Sequence, residues 1–286
     1  MARKQKSIRL SVKDGLVFFI LPLIAGILIA AFIPQPVIAV IEISDPIEEA
    51  VSQQVIAQIN YAARHWEVRA IVLVLNSPGG TISDTELVYM ELNRLRRYKP
   101  IVTMVKSLSA SGSYYISMAS DYIIANPSAM VGNIGVIGYL PNTPQIFEDV
   151  ISTGPYKLWG GSVDSIVRQI DMMKLGFLEA VLRGRGDRLL VTGERILQGE
   201  LLPASEALRM GLIDAVGTFS QALEEAASRA HIVNYKVLDV ANAVKAEEKA
   251  AAASFFGEDE NGISTGLPRE AGIYYLYIPD HMDVLR

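Results

Sequence analysis

Ser111 sits where a nucleophile could be displayed. An apolar, β-branched run, Ile101-Val102-Thr103-Met104-Val105, leads through the small residues Ser109-Ala110-Ser111-Gly112 into a helix-like segment, Tyr114 to Ala119. A serine at a strand-to-helix junction with small neighbours can hold its hydroxyl open, near amides that favour an oxyanion. The commoner role of such a serine is an ordinary N-cap. Ser113, two positions on, is a second hydroxyl and ranks behind Ser111.

A serine nucleophile needs a base. The three histidines, His65, His231 and His281, are widely spaced. Each reads as a surface or satisfied histidine, with His231 left open as a triad member. The other base available to a serine is a desolvated lysine. Lys157 lies among Gly154, Pro155, Tyr156, Leu158 and Trp159. Burial in so stiff and apolar a setting favours the neutral amine, because a low dielectric penalises the ammonium. Taken alone, such a lysine is more often a surface residue with a snorkelling stem. Lys106, just before the serine loop, and Lys174 are its rivals. A third element of the chemistry is Asn76-Ser77-Pro78-Gly79-Gly80, at the C-terminal end of a buried strand, where ligand sites of open parallel sheets lie. Gly79 or Gly80 could expose an oxyanion-hole amide, with a plain turn as the alternative. Neither GxGxxG nor GxxxxGK[ST] occurs, so a phosphate-cradling loop has no support.

The elements that would position these residues alternate. Val37 to Ile43 reads as a strand; Asp45-Pro46 opens a helix with an Ile47, Val51, Val55, Ile59 stripe up to Arg64. Ala70 to Leu75 is a continuous apolar run, the mark of a strand covered on both faces. A helix at about 81–97, the strand 101–105 and the serine segment follow. The alternation predicts parallel βαβ units in an α/β fold. Beyond it come a strand at 121–125, a Gly-punctuated strand at 131–138 that suggests close backbone approach, and a short helix near 143–152. Helices over 162–183, 204–210 and 219–230 and a last strand over 233–240 complete the domain. From Ala241 the composition changes: an Ala/Glu/Lys helix candidate to Ala253, a mobile acidic stretch 257–272, and the aromatic Ile273 to Ile278.

The chain has 286 residues, half of them hydrophobic, and a net charge of -5. Leu16 to Ile33 is an 18-residue run without a charge, enough as a helix for roughly 27 Å of hydrocarbon. Arg3, Lys4, Lys6, Arg9 and Lys13 precede it, so the positive-inside rule keeps residues 1–15 in the cytoplasm and sends the remainder outward. A cleaved signal peptide would cut at Val37-Ile38-Ala39, through the first strand, which favours an uncleaved anchor over 16–33. No basic cluster lies beyond it, which argues against nucleic acid as a partner. The absence of cysteine excludes disulfides, thiol catalysis and cysteine-metal sites.

Four stretches in order, NSPGG (76–80), SASGSYYISMASDYIIANP (109–127), VGNIGVIG (131–138) and TGPYK (153–157), resemble the signal peptide peptidase A family of membrane-anchored serine peptidases. The resemblance spans about Val37 to Ala230, and Gln198 to Asp214 fits it too. It implies a Clp protease/crotonase-like fold, with Ser111 as nucleophile, Lys157 as general base and an oxyanion-hole amide from Gly79 or Gly80. Where the family commonly has Ser-Gly-Gly-Tyr-Tyr, this chain has Ser111-Gly112-Ser113-Tyr114-Tyr115. Where the family often places a lysine-orienting serine, Asn133 stands here, and its oxygen can accept from the amine. The resemblance further implies peptide substrates such as liberated signal peptides or other apolar membrane-derived segments. It implies no metal or cofactor, and a homo-oligomeric ring in which a neighbouring subunit can complete the site. The expected layout is a basic cytoplasmic N-terminus 1–15, an anchor 16–33, a serine peptidase domain 37–240 and a C-terminal extension 241–286. The alternatives are a catalytically inactive membrane scaffold and, with less support, an acyl-CoA hydratase or isomerase of the same fold.

Overall fold

The computed structural model describes residues 16–32, 34–139, 152–154, 156–157, 160–258 and 264–268. The domain is built on parallel strands. Strand β1 (Val37–Ile43) pairs with β2 (Val68–Ser77), and β2 with β3 (Ile101–Ala110). Strand β2 is buried along nearly its whole length, as its unbroken apolar run requires. Helices Glu49–Arg64 and Ile82–Arg96 close one face over Ile41, Ile59, Leu73 and Leu92. Helix Phe219–Arg229, capped by a reciprocal Thr218–Gln221 box, covers the other face over Ile38, Val72 and Met104.

Strand β3 is the pivot. Its first half, Val102–Val105, pairs with β4 (Tyr122–Ala125), and its last residues, Leu108–Ala110, pair with β5 (Met130–Gly132). The remaining pairs are β5 with β6 (Leu201–Pro203), β4 with β7 (Ala215–Val216), and β1 with β8 (Lys236–Asp239). The sheet is mixed, since β5 and β6 run antiparallel. A third cluster of buried side chains, including Tyr114, Val131, Phe177 and Leu212, lies beneath the β5 end.

Several expectations are revised. The helix predicted from Asp45-Pro46 begins at Glu49, because Ile47 first bridges to the Gly-Gly loop: its N–H donates to Gly79 O at 2.8 Å and its carbonyl accepts from Thr81 N–H at 3.0 Å. Strand β3 continues through Ala110 rather than ending at Val105. The Gly-punctuated strand shortens to Met130–Gly132, with Asn133 in the left-handed region at φ 53°. The last strand contracts to Lys236–Asp239, and helix Val240–Phe255 starts at once. In the acidic stretch, Phe256–Glu258 and Ser264–Pro268 pair as antiparallel strands β9 and β10. The helix near 143–152 falls, but for its last residue, outside the described residues, and the aromatic run 273–278 lies wholly outside them. At the N-terminus, Leu16–Ile20 forms a π-helical turn and Leu21–Phe32 an α-helix. Among the described residues, no helix is long and apolar enough to cross a membrane.

Candidate active site

Strand β3 delivers Ser111 to the start of helix Gly112–Ser117. Its backbone is held at both ends, with Ser111 N–H donating to Gly132 O at 2.9 Å and Tyr115 N–H donating to Ser111 O at 3.0 Å. The residue lies at φ 50°, ψ -125°. That conformation costs a residue with a Cβ about 1–3 kcal/mol and persists only where the surroundings impose it. Ser111 occupies the N-cap position, yet its side chain makes no capping hydrogen bond. The ordinary cap is therefore not its role here: the hydroxyl is left uncommitted on the wall of a cavity of about 340 Å³.

The Gly-Gly loop packs directly on this corner. A Cβ on Gly79 would lie 2.9 Å from Ser111 Cβ and 2.7 Å from Gly112 N, and Gly79 has φ +99°. A Cβ on Gly80 would lie 2.0 Å from Ile47 O. Only glycine fits either position. The two amides differ in availability. Gly79 N–H donates to Ser77 Oγ at 3.2 Å, and that buried hydroxyl in turn donates to Asp45 O at 2.7 Å. The bridge to Ile47 uses Gly79 O and Thr81 N–H, which leaves Gly80 N–H outside it. Gly112, as the first residue of its helix, has no intrahelical acceptor for its own N–H. Gly80 and Gly112 both line the cavity, and a Cβ on Gly112 would lie only 3.3 Å from Gly80 N. The sequence pattern pointed to Gly79 or Gly80 for the oxyanion-hole amide and gave Gly112 no such role; its place directly after the candidate nucleophile was the available signal.

Ser113, the second-ranked hydroxyl, is fully buried with Oγ 3.3 Å from Ser109 Oγ, turned into the fold. One residue on, buried Tyr114 donates its hydroxyl to Leu212 O at 2.7 Å. Tyr115 instead faces the cavity, edge-on to Tyr89 and Phe177 at 4.7 and 5.0 Å between ring centroids. Burial, followed by the charge of Glu86, pushes the Tyr115 phenol up to about 12, so it stays neutral. Apolar side chains form much of the remaining wall, among them Ile82, Val136, Ile137, Met173 and Phe177, with Thr85 and Glu86 beside them. Asn133 also lines it; its Nδ2 donates to Gly199 O at 2.8 Å and its Oδ1 remains as an acceptor.

Lys157 is exposed and is not on the cavity wall, so this chain by itself does not give it the burial its neighbours in sequence suggested. Its rivals are not on the wall either: Lys106 pairs with Glu42 at 3.2 Å and Lys174 with Asp171 at 2.7 Å. His231, exposed at φ 54°, follows helix Phe219–Arg229 on the far face, and His65 stacks on Tyr61 and contacts Glu247. Among the described residues, neither lysine nor histidine lines the cavity.

The mixed α/β sheet, parallel but for the β5–β6 pair, brings a strained serine and a Gly-Gly loop to one cavity, and residues 37–131 match the Clp protease family model. Residues 93–233 match the model of peptidase family S49. It is 32% identical over 191 residues to Protease 4 of Salmonella typhi, covering 62% of this chain and 31% of that protein. It is 29% identical over 174 residues to Protease 4 of Haemophilus influenzae, covering 56% and 28%. It is 27% identical over 210 residues to the chloroplastic serine protease SPPA of Arabidopsis thaliana, covering 68% and 31%. The chain thus spans about a third of the length of these relatives.

Proposed function

We propose that the chain is a membrane-anchored serine endopeptidase that uses a Ser111–Lys157 dyad on apolar peptide segments such as released signal peptides. The observation that carries the reading is Ser111 itself: a strained corner, an uncapped hydroxyl, and the spare Gly80 and Gly112 amides beside it. In the reaction Ser111 Oγ attacks the peptide carbonyl carbon while neutral Lys157 Nζ takes the hydroxyl proton. The carbonyl oxygen, now an oxyanion, accepts from the Gly80 and Gly112 amides. Collapse expels the amine, which takes the proton back from Lys157. Water, giving a proton to neutral Lys157 Nζ, then attacks the acyl ester, and Lys157 returns that proton to Ser111 Oγ as the acid product leaves. Asn133 Oδ1 accepts from Lys157 Nζ and orients it.

Lys157 reaches Ser111 in an oligomeric ring, where a neighbouring copy supplies what the single chain lacks. This accounts for an exposed Lys157 and for uncovered apolar side chains on helix Val163–Arg185, such as Met172 and Leu175 at 71% and 55% exposure. Residues 16–33 anchor the chain, with 1–15 in the cytoplasm and the catalytic domain outside it. The apolar wall supports an apolar substrate side chain next to the scissile bond.

A fluorophosphonate probe tests the serine. It should label the full chain in detergent and fail to label Ser111→Ala, which should also lose hydrolysis of an unstructured apolar peptide while remaining folded. Labelling that persists in Ser111→Ala would sink the assignment. A blank wild type would instead favour the inactive scaffold.

A further inference from the structure

Thr85, on the first turn of helix Ile82–Arg96, is a buried polar residue that the mechanism above leaves unused. It is 4% exposed, and its Oγ1 is buried without a hydrogen-bond partner. Buried hydroxyls normally find partners, so a valine of the same shape would remove an unpaired group at little steric cost elsewhere. The surroundings indicate why oxygen stands there. Thr85 fills the space that a Cβ on Gly112 would take: Oγ1 would be 2.5 Å from that Cβ and Cγ2 3.2 Å. The branch nearest that Cβ position is the smaller of the two, and the next nearest atom to it is Gly80 N, at 3.3 Å. Oxygen tolerates a closer approach to a Cα–H than carbon does, since Cα–H···O contacts are attractive at separations where two carbons repel.

We propose that Thr85 is a positioning residue of the oxyanion site: its hydroxyl, left unpartnered, lets Gly112 lie close enough to Gly80 for both amides to aim at one oxygen. The proposal rests on the peptidase reading and deepens it. It trades folding stability for activity. A methyl in place of Oγ1 removes the unpaired group but pushes Gly112 away by a few tenths of an ångström. Displaced donors weaken transition-state binding more than ground-state binding.

The test uses the full chain in detergent micelles, with an internally quenched apolar peptide and a fluorophosphonate probe. Thr85→Val should melt at or above the wild-type temperature, yet lose about tenfold in kcat with KM within about twofold, and label correspondingly slowly. Thr85→Ser keeps the oxygen and should hold kcat within about threefold of wild type. Should Thr85→Val fail to fold, Thr85→Cys, whose sulfur is larger than the oxygen it replaces, takes its place and should lose kcat where Thr85→Ser does not. Wild-type kcat in the variant lacking the hydroxyl, or equal losses in that variant and Thr85→Ser, would overturn the proposal and leave the peptidase reading intact. A wild type that neither labels nor cleaves would overturn both.

Discussion

The positive φ of Ser111 is held at both ends, since its N–H donates to Gly132 O and its carbonyl accepts from Tyr115 N–H, and Gly79 lies so close that a Cβ on it would be 2.9 Å from Ser111 Cβ. Strain so fixed makes opposite demands on stability and activity, which substitutions can separate. Ser111→Gly removes the Cβ from a left-handed backbone and should stabilise the fold by about 1 kcal/mol, seen as a higher Tm. Ser111→Ala keeps the Cβ and should melt near wild type. Neither should hydrolyse peptide. A lower Tm for Ser111→Gly than for Ser111→Ala would contradict the account of the corner.

At the scale of elements, the short helix Gly112–Ser117 cannot hold its own place and relies on what lies beneath it. Tyr114 ties it to Leu212, close to a buried ion pair that fixes the same segment. Arg185 Nη1 and Nη2 donate to Asp214 at 2.9 and 2.8 Å, its Nε donates to Gly211 O, and Asp214 Oδ2 also accepts from Ile123 N–H at 2.8 Å. Burial works to raise the Asp214 carboxyl. The Arg185 hydrogen bonds and charge, the Ile123 amide and Arg188 outweigh it and hold the group below the ordinary carboxylate range. A lowered folded-state value contributes stability that is complete above the unfolded value near 4 and is lost as pH falls through the folded value. Asp214→Asn leaves Arg185 buried without its counter-charge, at a cost of about 3–5 kcal/mol at neutral pH. Denaturant unfolding across pH should show the wild-type and variant curves converging below about pH 4; parallel curves would refute the linkage.

For the whole molecule, the proposed ring would make assembly part of the chemistry, since Lys157 is exposed and not on the cavity wall. If each site draws Ser111 from one copy and Lys157 from its neighbour, Ser111→Ala and Lys157→Met are each inactive but complement on mixing. Random assembly of equal amounts should restore about a quarter of wild-type activity, one productive pairing in four. No recovery after verified subunit exchange would place the dyad within one chain or name another base. A lysine must be neutral to take a proton, so peptide turnover should rise toward alkaline pH; an optimum near pH 5 would exclude it as the base.

Much of the scaffold was legible in the chain because its cause is local. The apolar run around Ala70–Leu75 can only be a strand covered on both faces, and the 37–43 and 122–125 strands follow from equally short-range patterns. Ser111 and the Gly-Gly loop were likewise visible, since small residues at strand ends serve few purposes. What distinguishes Gly80 from Gly79 is not local: it depends on Ser77, 32 positions from the Asp45 carbonyl to which it donates, and on the bridge from Ile47. The burial of Ser113 against Ser109 and the unpaired hydroxyl of Thr85 against Gly112 also arise only when separate elements meet. The types of residue and their order thus determined which chemistry is on offer. The tertiary structure decided which hydroxyl and which amides face the same cavity, because hydrogen-bond partners and excluded volume come from chain that is distant in sequence.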